Sequence, residues 1–491
     1  MKQSKRTISL ILFSAILTGI LAGCGSEPVG QDETSDGTTS AEVTTEAGYD
    51  YPDVNYDGYE FRILNIDNFY NCYVKTDVAE QTGETVDDAV YLRNRKVEDK
   101  LGIKITEIVE TFTSGDDRQK TGNRLQQAVL AGDESFDCAY VSMSGSAGII
   151  TGGYVLDLKK VPGLNLDEEW WDTDLNAALE LDGKLFCATS PLQLTSLDLT
   201  WVLLFNKQIL ENNKLEMPYD LVREGKWTMD KMYEYTSKVA NLNGDESFEF
   251  TEGGKAVYGI AAHQHTSPYL FLLSGDNKLV ETDKSGKLVF TGGTERLYGT
   301  MEKAAKLLAT DNGNAILGSN DFTPGHYYYM FANERAAFLT TELKGTQVMR
   351  PYNVEFGILP TPKYDENQKN YVTYASENVF RLCIPANAEN PGRTGVILDA
   401  LSYESKYEVL PLYYNQTICQ KGLRDDDSIE MLSYISDARM TEVGLIFDIT
   451  TPLVNDLKTA IRNGDTNAAS IIAAGKAKVE TEITDLLDAI K

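Results

Sequence analysis

Few residues in this chain have the type and spacing to do chemistry by themselves. His263 and His265 stand two apart, which on a strand would put both on one face, as a metal pair requires. No third ligand follows at a convincing spacing, so the pair reads as polar loop residues. Glycoside hydrolysis needs two carboxylates at a set separation. With 74 Asp and Glu in the chain, chance pairs are certain and discriminate nothing. No G-x-S-x-G elbow and no H-E-x-x-H helix occurs. Cys24 is the exception. It follows a basic start at Lys2, Lys5 and Arg6 and an uncharged run from Ile8 to Leu21.

That layout is the three-part pattern of a secretory signal peptide, and the run is shorter than the roughly 20 residues a spanning helix needs. Leu21-Ala22-Gly23-Cys24 resembles the bacterial lipoprotein box. The resemblance implies cleavage before Cys24, which then carries lipid. Residues 24–55 are rich in Ser, Thr, Gly and acid. Such a stretch cannot bury enough surface to offset chain entropy. It is expected to be a flexible tether.

The body that follows exceeds the size at which single cores stop growing, roughly 250–300 residues. Two lobes are expected. The chain has 42% hydrophobic residues and a formal charge of −29. That charge repels phosphates, and no basic stripe appears, so nucleic acid is not an expected partner. Five further cysteines, Cys72, Cys138, Cys187, Cys383 and Cys419, are too scattered for a disulfide framework. The opening of the body alternates strand and helix. Residues 59–67 read as a strand. Residues 85–102 read as a helix with Val86, Val90, Val97 and Leu101 on one face, capping-box spacing at Thr85 and Asp88, and a stop at Gly102. Strands at 103–110 and 136–143 flank a helix at 123–133. This order predicts a parallel sheet whose ligand lies beyond the strands' carboxyl ends. Those ends are 65–67, 111–114 and 142–145. No glycine-rich phosphate fingerprint follows any of them.

The middle of the chain carries an ordered set of motifs. Gly153 to Leu158 form a G-x-hydrophobic-x-D-L turn, and Asp182-Gly183-Lys184-Leu185 a short hairpin. Phe205-Asn206-Lys207 end a strand, and Pro218 then Trp227-Thr228 start helices. Later come FANERAAFLT (331–340) and EFGILPTPKYD (355–365). In order and spacing the set resembles bacterial extracellular solute-binding protein family 1, carbohydrate-binding components of ABC importers related to maltodextrin-binding protein. An insertion, YDLVREGK, separates Pro218 from Trp227, and the C-terminal tail matches only as helices.

The resemblance implies an α/β, two-lobed periplasmic-binding-protein-like fold with a ligand cleft between lobes joined by hinge crossovers. The implied layout is a signal peptide at 1–23, a tether at 24–55, a first lobe at 56–195 and 363–402, and a second at 196–362 and 403–491. Crossings are expected near Leu192–Leu199, Pro360–Pro362 and Leu401–Tyr407. The implied sugar contacts are Asp67, Ser142, Ser144, Trp201, His265, Tyr269, Glu342, Tyr374 and Glu377. Aromatic plates and short polar groups at such positions suit a sugar's apolar faces and polar rims. No enzymatic activity, cofactor or metal is expected. The expected partners are a carbohydrate, permease subunits and, through the lipid on Cys24, the outer face of the cell membrane. A monomer is expected. The competing readings are a surface lipoprotein glycan hydrolase and a receptor of this fold for a peptide or metal.

Overall fold

The computed structural model describes residues 48–284, 286–319, 322–415, 423 and 425–491. The signal peptide, Cys24, residues up to 47 and Cys419 lie outside the described residues.

The first sheet forms where periodicity demands it. Strands β1 (Tyr59–Asp67), β2 (Ile103–Thr111) and β3 (Cys138–Ser142) run parallel with β1 central. Helices Thr85–Leu101 and Lys120–Ala131 form their crossovers. Gly102 ends the first helix at φ 63, left-handed ground that favours glycine. The expected capping box is replaced. Glu84 is the N-cap, and Asp88 instead accepts the Thr82 and Gly83 N–H groups.

The second sheet is mixed. β4 (Trp201–Asn206) pairs antiparallel with β9 (Ala336–Glu342) and β10 (Phe356–Leu359). β5 (Tyr258–His263) runs parallel to β9 and to β8 (Ala315–Gly318), giving the order β10-β4-β9-β5-β8. β6 (Val280–Thr282) and β7 (Leu288–Phe290) make a small hairpin. The aromatic run at 326–331 forms helix Tyr327–Ala332, with Tyr327, Tyr328 and Phe331 buried.

Three passages between the sheets lie side by side. β11 (Thr373–Tyr374) leads to β12 (Phe380–Cys383), which joins the first sheet antiparallel to β3. β13 (Arg439–Met440) pairs parallel with β11. On its other side the same passage meets the first crossing, through a bridge between Thr200 and Ala375 and a bond from Ser376 N–H to Leu199 O at 3.2 Å. The return lies later than Pro360–Pro362. Residues 360–363 stay on the second lobe, where Pro360 O accepts Trp227 Nε1 and Lys363 O accepts Met229 N–H.

Residues 401–407 do not cross either. They continue the helix Pro391–Glu404 through a widened turn that packs on Thr85–Leu101. The helix Asp426–Ala438 packs on β10. The tether's end is also docked. Tyr49 Oη donates to Asp399 at 3.0 Å and Tyr51 Oη to Glu404 at 2.8 Å.

Glu442 fastens the third passage. It accepts N–H groups from Leu279, Val280 and Gly444 and the Tyr269 hydroxyl, with no ion-pair partner among the described residues. Burial pushes its pKa up to about 7. The native state therefore binds a proton that the unfolded chain, near 4.3, has released. This contribution is fully present below about 4.5 and is lost as pH rises through 7. Denaturant unfolding of the wild type should lose on the order of 3 kcal/mol from this group over that window. Glu442→Gln should lower stability at acid pH and remove that slope. An unchanged slope would mean Glu442 does not titrate there.

Candidate functional site

The strand ends of the two sheets face one another across the hinge passages. On the second lobe, β4 begins at Trp201 and β9 ends at Glu342, and the two are in register. β5 ends beside them at His263. Trp201 is buried, its ring 5.7 Å from His263, which also lies 5.6 Å from Tyr327 and 5.9 Å from His265. His263 Nδ1 accepts the Thr266 N–H at 3.1 Å, so a neutral ring carries its proton on Nε2. Burial, then His265 and Lys458, push its pKa down to about 4.

Glu342 is the most exacting group here. Its Oε2 is buried without a hydrogen-bond partner among the described residues. Burial raises its pKa, opposed by Lys344 and reinforced by Glu377. Lys344 itself donates to Tyr70 O at 2.8 Å across to the first lobe. An unpaired buried carboxylate is costly, and a ligand donor would relieve it.

On the first lobe, Asp67 is spent locally, accepting the Phe112 N–H at 3.1 Å. Ser142 is fully buried opposite Phe380, with its Oγ unpaired. Ser144 is half-buried in the loop after β3. Gly145 in that loop is exposed, on left-handed backbone at φ 75. Glu377 follows the return passage and accepts the Tyr374 hydroxyl, plus Ser376 Oγ at 3.2 Å. It acts electrostatically on His263, Lys458, Glu342 and Asp448.

The sequence-predicted contacts thus divide. Trp201 and Glu342 come together in register, Glu377 acts on Glu342, Ser144 stands half-buried in the loop after β3, and His265 lies exposed. Tyr269 does not line this space. It is 1% exposed in a helix, Ser267–Ser274, that is buried on every side, and its hydroxyl reaches Glu442. Tyr374 is likewise buried and supports Glu377. Asp67 holds the chain turn after β2, and Ser142 keeps its buried Oγ without a partner among the described residues. Trp170 and Trp171 both donate to the buried Asp399 and serve packing.

Tyr70 was not legible in the sequence. It stands in a strained loop after β1, where Asn68, Tyr70 and Asn71 have φ of 50, 46 and 59. Such strain collects at functional sites. Tyr70 is 38% exposed, edge-on to Phe69 and Phe112 at 4.8 Å. The asparagines flanking it were the available signal, since Asn tolerates left-handed backbone. Lys458 and Arg462 were also missed. They lie one helical turn apart on Thr451–Arg462.

Among the described residues, no group of three His, Cys, Asp or Glu is placed to hold a metal ion. Cys72, Cys138, Cys187 and Cys383 are buried free thiols.

The shifted histidine is directly measurable. In histidine NMR the His263 signal should titrate near pH 4, not near the usual 6.5. Stability should accordingly fall as pH drops from 6.5 toward 4, because only the unfolded chain takes up that proton. A midpoint at 6 or above would contradict the buried, neutral ring.

No family model matches the chain, and no curated protein matches it. Solved structures do. ABC substrate-binding protein Lmo0181 from Listeria monocytogenes, in complex with cycloalternan, is 13% identical with TM-score 0.54, covering 87% of this chain and 99% of that one. A cyclo/maltodextrin-binding protein complexed with maltotetraose is 13% identical with TM-score 0.57, covering 86% and 97%. A family 1 extracellular solute-binding protein from Bifidobacterium longum subsp. infantis is 13% identical with TM-score 0.53, covering 86% and 99%. Two α/β lobes, hydrogen-bonded passages between them and these likenesses together give the chain the two-lobed fold of periplasmic-type sugar-binding proteins.

Proposed function

We propose that this chain is a lipid-anchored extracellular receptor of the family 1 solute-binding type. It captures a mono- or oligosaccharide between its lobes and hands it to an ABC permease. The observation that carries this reading is the meeting, between two hinged lobes, of an exposed aromatic plate at Tyr70 with polar groups that lack partners. Glu342 Oε2 is buried and unpaired, and His263 keeps an N–H free of its one bonded nitrogen. A polyhydroxyl ligand supplies donors to the first and an acceptor to the second, and a sugar's apolar face suits the tyrosine. Closure then shifts a population through contacts present only with both lobes engaged. The lipid anchor rests on the box at Cys24. No helix among the described residues is long and apolar enough to cross a membrane. The surroundings of Glu342 also favour a second reading, glycan hydrolysis, because a carboxyl of raised pKa with Glu377 acting on it electrostatically is the pairing of an acid and a nucleophile.

One experiment separates the two. The body is melted with a panel of saccharides, and each sugar is recovered and checked by chromatography. A ligand at 100 times its Kd should add about 2.7 kcal/mol of stability and come back intact. Shortened sugar would establish the hydrolase, and no shift with any sugar would reject the carbohydrate reading. For a sugar that binds, Tyr70→Ala should weaken affinity by about 1 kcal/mol, five- to tenfold. Tyr269→Phe should leave affinity unchanged; the reverse ranking would misplace the site.

A further inference from the structure

One face of the helix Thr451–Arg462 has no counterpart elsewhere in the site. Lys458 and Arg462 are four residues apart, so they sit on one side of the helix. The chain holds 74 acidic against 45 basic residues, yet neither cation has an ion-pair partner among the described residues. Lys458 Nζ makes no hydrogen bond there, and sits 5.7 Å from the Tyr269 ring centroid. Arg462 Nη2 donates to Thr459 Oγ1 at 3.2 Å, while its Nε is buried without a partner.

Both cations lie near enough to the groups at the ends of β5 and the return passage to act on them electrostatically. Lys458 acts on His263 and Glu377, and Arg462 acts on His265 and Lys458. Glu377 is the carboxylate that acts on Lys458, but it lies beyond ion-pair distance and is occupied by Tyr374 and Ser376. The site is therefore polarised. Glu342 and Trp201 mark one part, and an uncompensated pair of cations marks another. Two cations held together without anions raise each other's energy, and an anionic ligand group removes that cost.

We infer that Lys458 and Arg462 form a subsite for an anionic substituent, a carboxylate or a sulfate, on the captured saccharide. This rests on the carbohydrate reading and narrows it. The sugar ring lies toward Trp201 and Glu342, and its acidic group meets the ammonium and guanidinium. Lys458 supplies a point charge, and Arg462 offers Nε and a terminal nitrogen as a planar fork.

The test uses matched pairs on a glycan array, followed by calorimetry of any binder. One arm compares oligogalacturonides with their neutral methyl esters. The other compares sulfated oligosaccharides with the desulfated forms. The charged member of at least one pair should bind tenfold or more tightly, and the arm in which this occurs identifies the anion. Lys458→Met and Arg462→Gln should each bring the pair within threefold, while the ligand-free melting temperature stays nearly unchanged. Binding of neutral glycans with equal or greater affinity would overturn this inference and leave the carbohydrate reading intact. Binding of no glycan at all would overturn both. The acid-against-ester comparison in the wild type needs no variant to fold.

Discussion

The fold depends on a constraint at its waist. A chain that passes repeatedly between two sheets must carry peptide groups through buried ground, and each needs a partner. The passages at 199–201, 373–376 and 439–440 satisfy one another as a narrow ribbon, with the return passage in the middle. Asp198 closes its edge. The carboxylate accepts the Tyr73 N–H at 2.7 Å and the Tyr413 hydroxyl from the first-lobe side. Its carbonyl accepts the Lys344 N–H at 3.2 Å from the second. Burial raises its pKa to about 6, so the waist keeps a costly charge at neutral pH in exchange for fixing where the lobes meet.

That arrangement explains why the candidate site lies where it does. The ribbon holds the lobes together at one side, which leaves their facing strand ends to approach or separate with little loss of hydrogen bonding. Lys344 reaches across that gap away from the ribbon, donating to Tyr70 O. That contact uses residues in loops, with Tyr70 on left-handed backbone. Loops carried on rigid sheets are where binding groups concentrate. Glu377 gains its reach the same way. It stands just past the ribbon's central strand, so any hinge rotation changes its distance to His263 and Lys458.

Much of the first lobe was legible because local pattern settles it. Val86, Val90, Val97 and Leu101 mark a helix face, and Gly102 can end it whatever the tertiary context. The second sheet was not legible, because β9 sits between β4 and β5 through pairings of residues more than 70 positions apart. The crossing points failed for a related reason. Pro360 to Pro362 look like a chain break, but Trp227 Nε1 holds them to the second lobe. In the site, Trp201, Glu342 and Glu377 could be proposed from strand ends and resemblance. Tyr269 could not be resolved by sequence, since an aromatic in the apolar stretch SPYLFLLS looks the same whether it lines a space or fills a core. Lys458 and Arg462 gave no local signal. Their meaning comes from the lack of an ion-pair partner among the described residues, which only the folded chain reveals.

The central claim is that the lobes close on an unaltered saccharide. The direct measurement is the distance between spin labels at Leu92, exposed on the first lobe, and Glu302, exposed on the second, read by electron–electron resonance. Adding a saccharide shown by calorimetry to bind should move the distribution to a new, narrower distance, with the sugar recovered whole. A saturated protein whose distances do not change, or one that returns the sugar cleaved, would contradict the account.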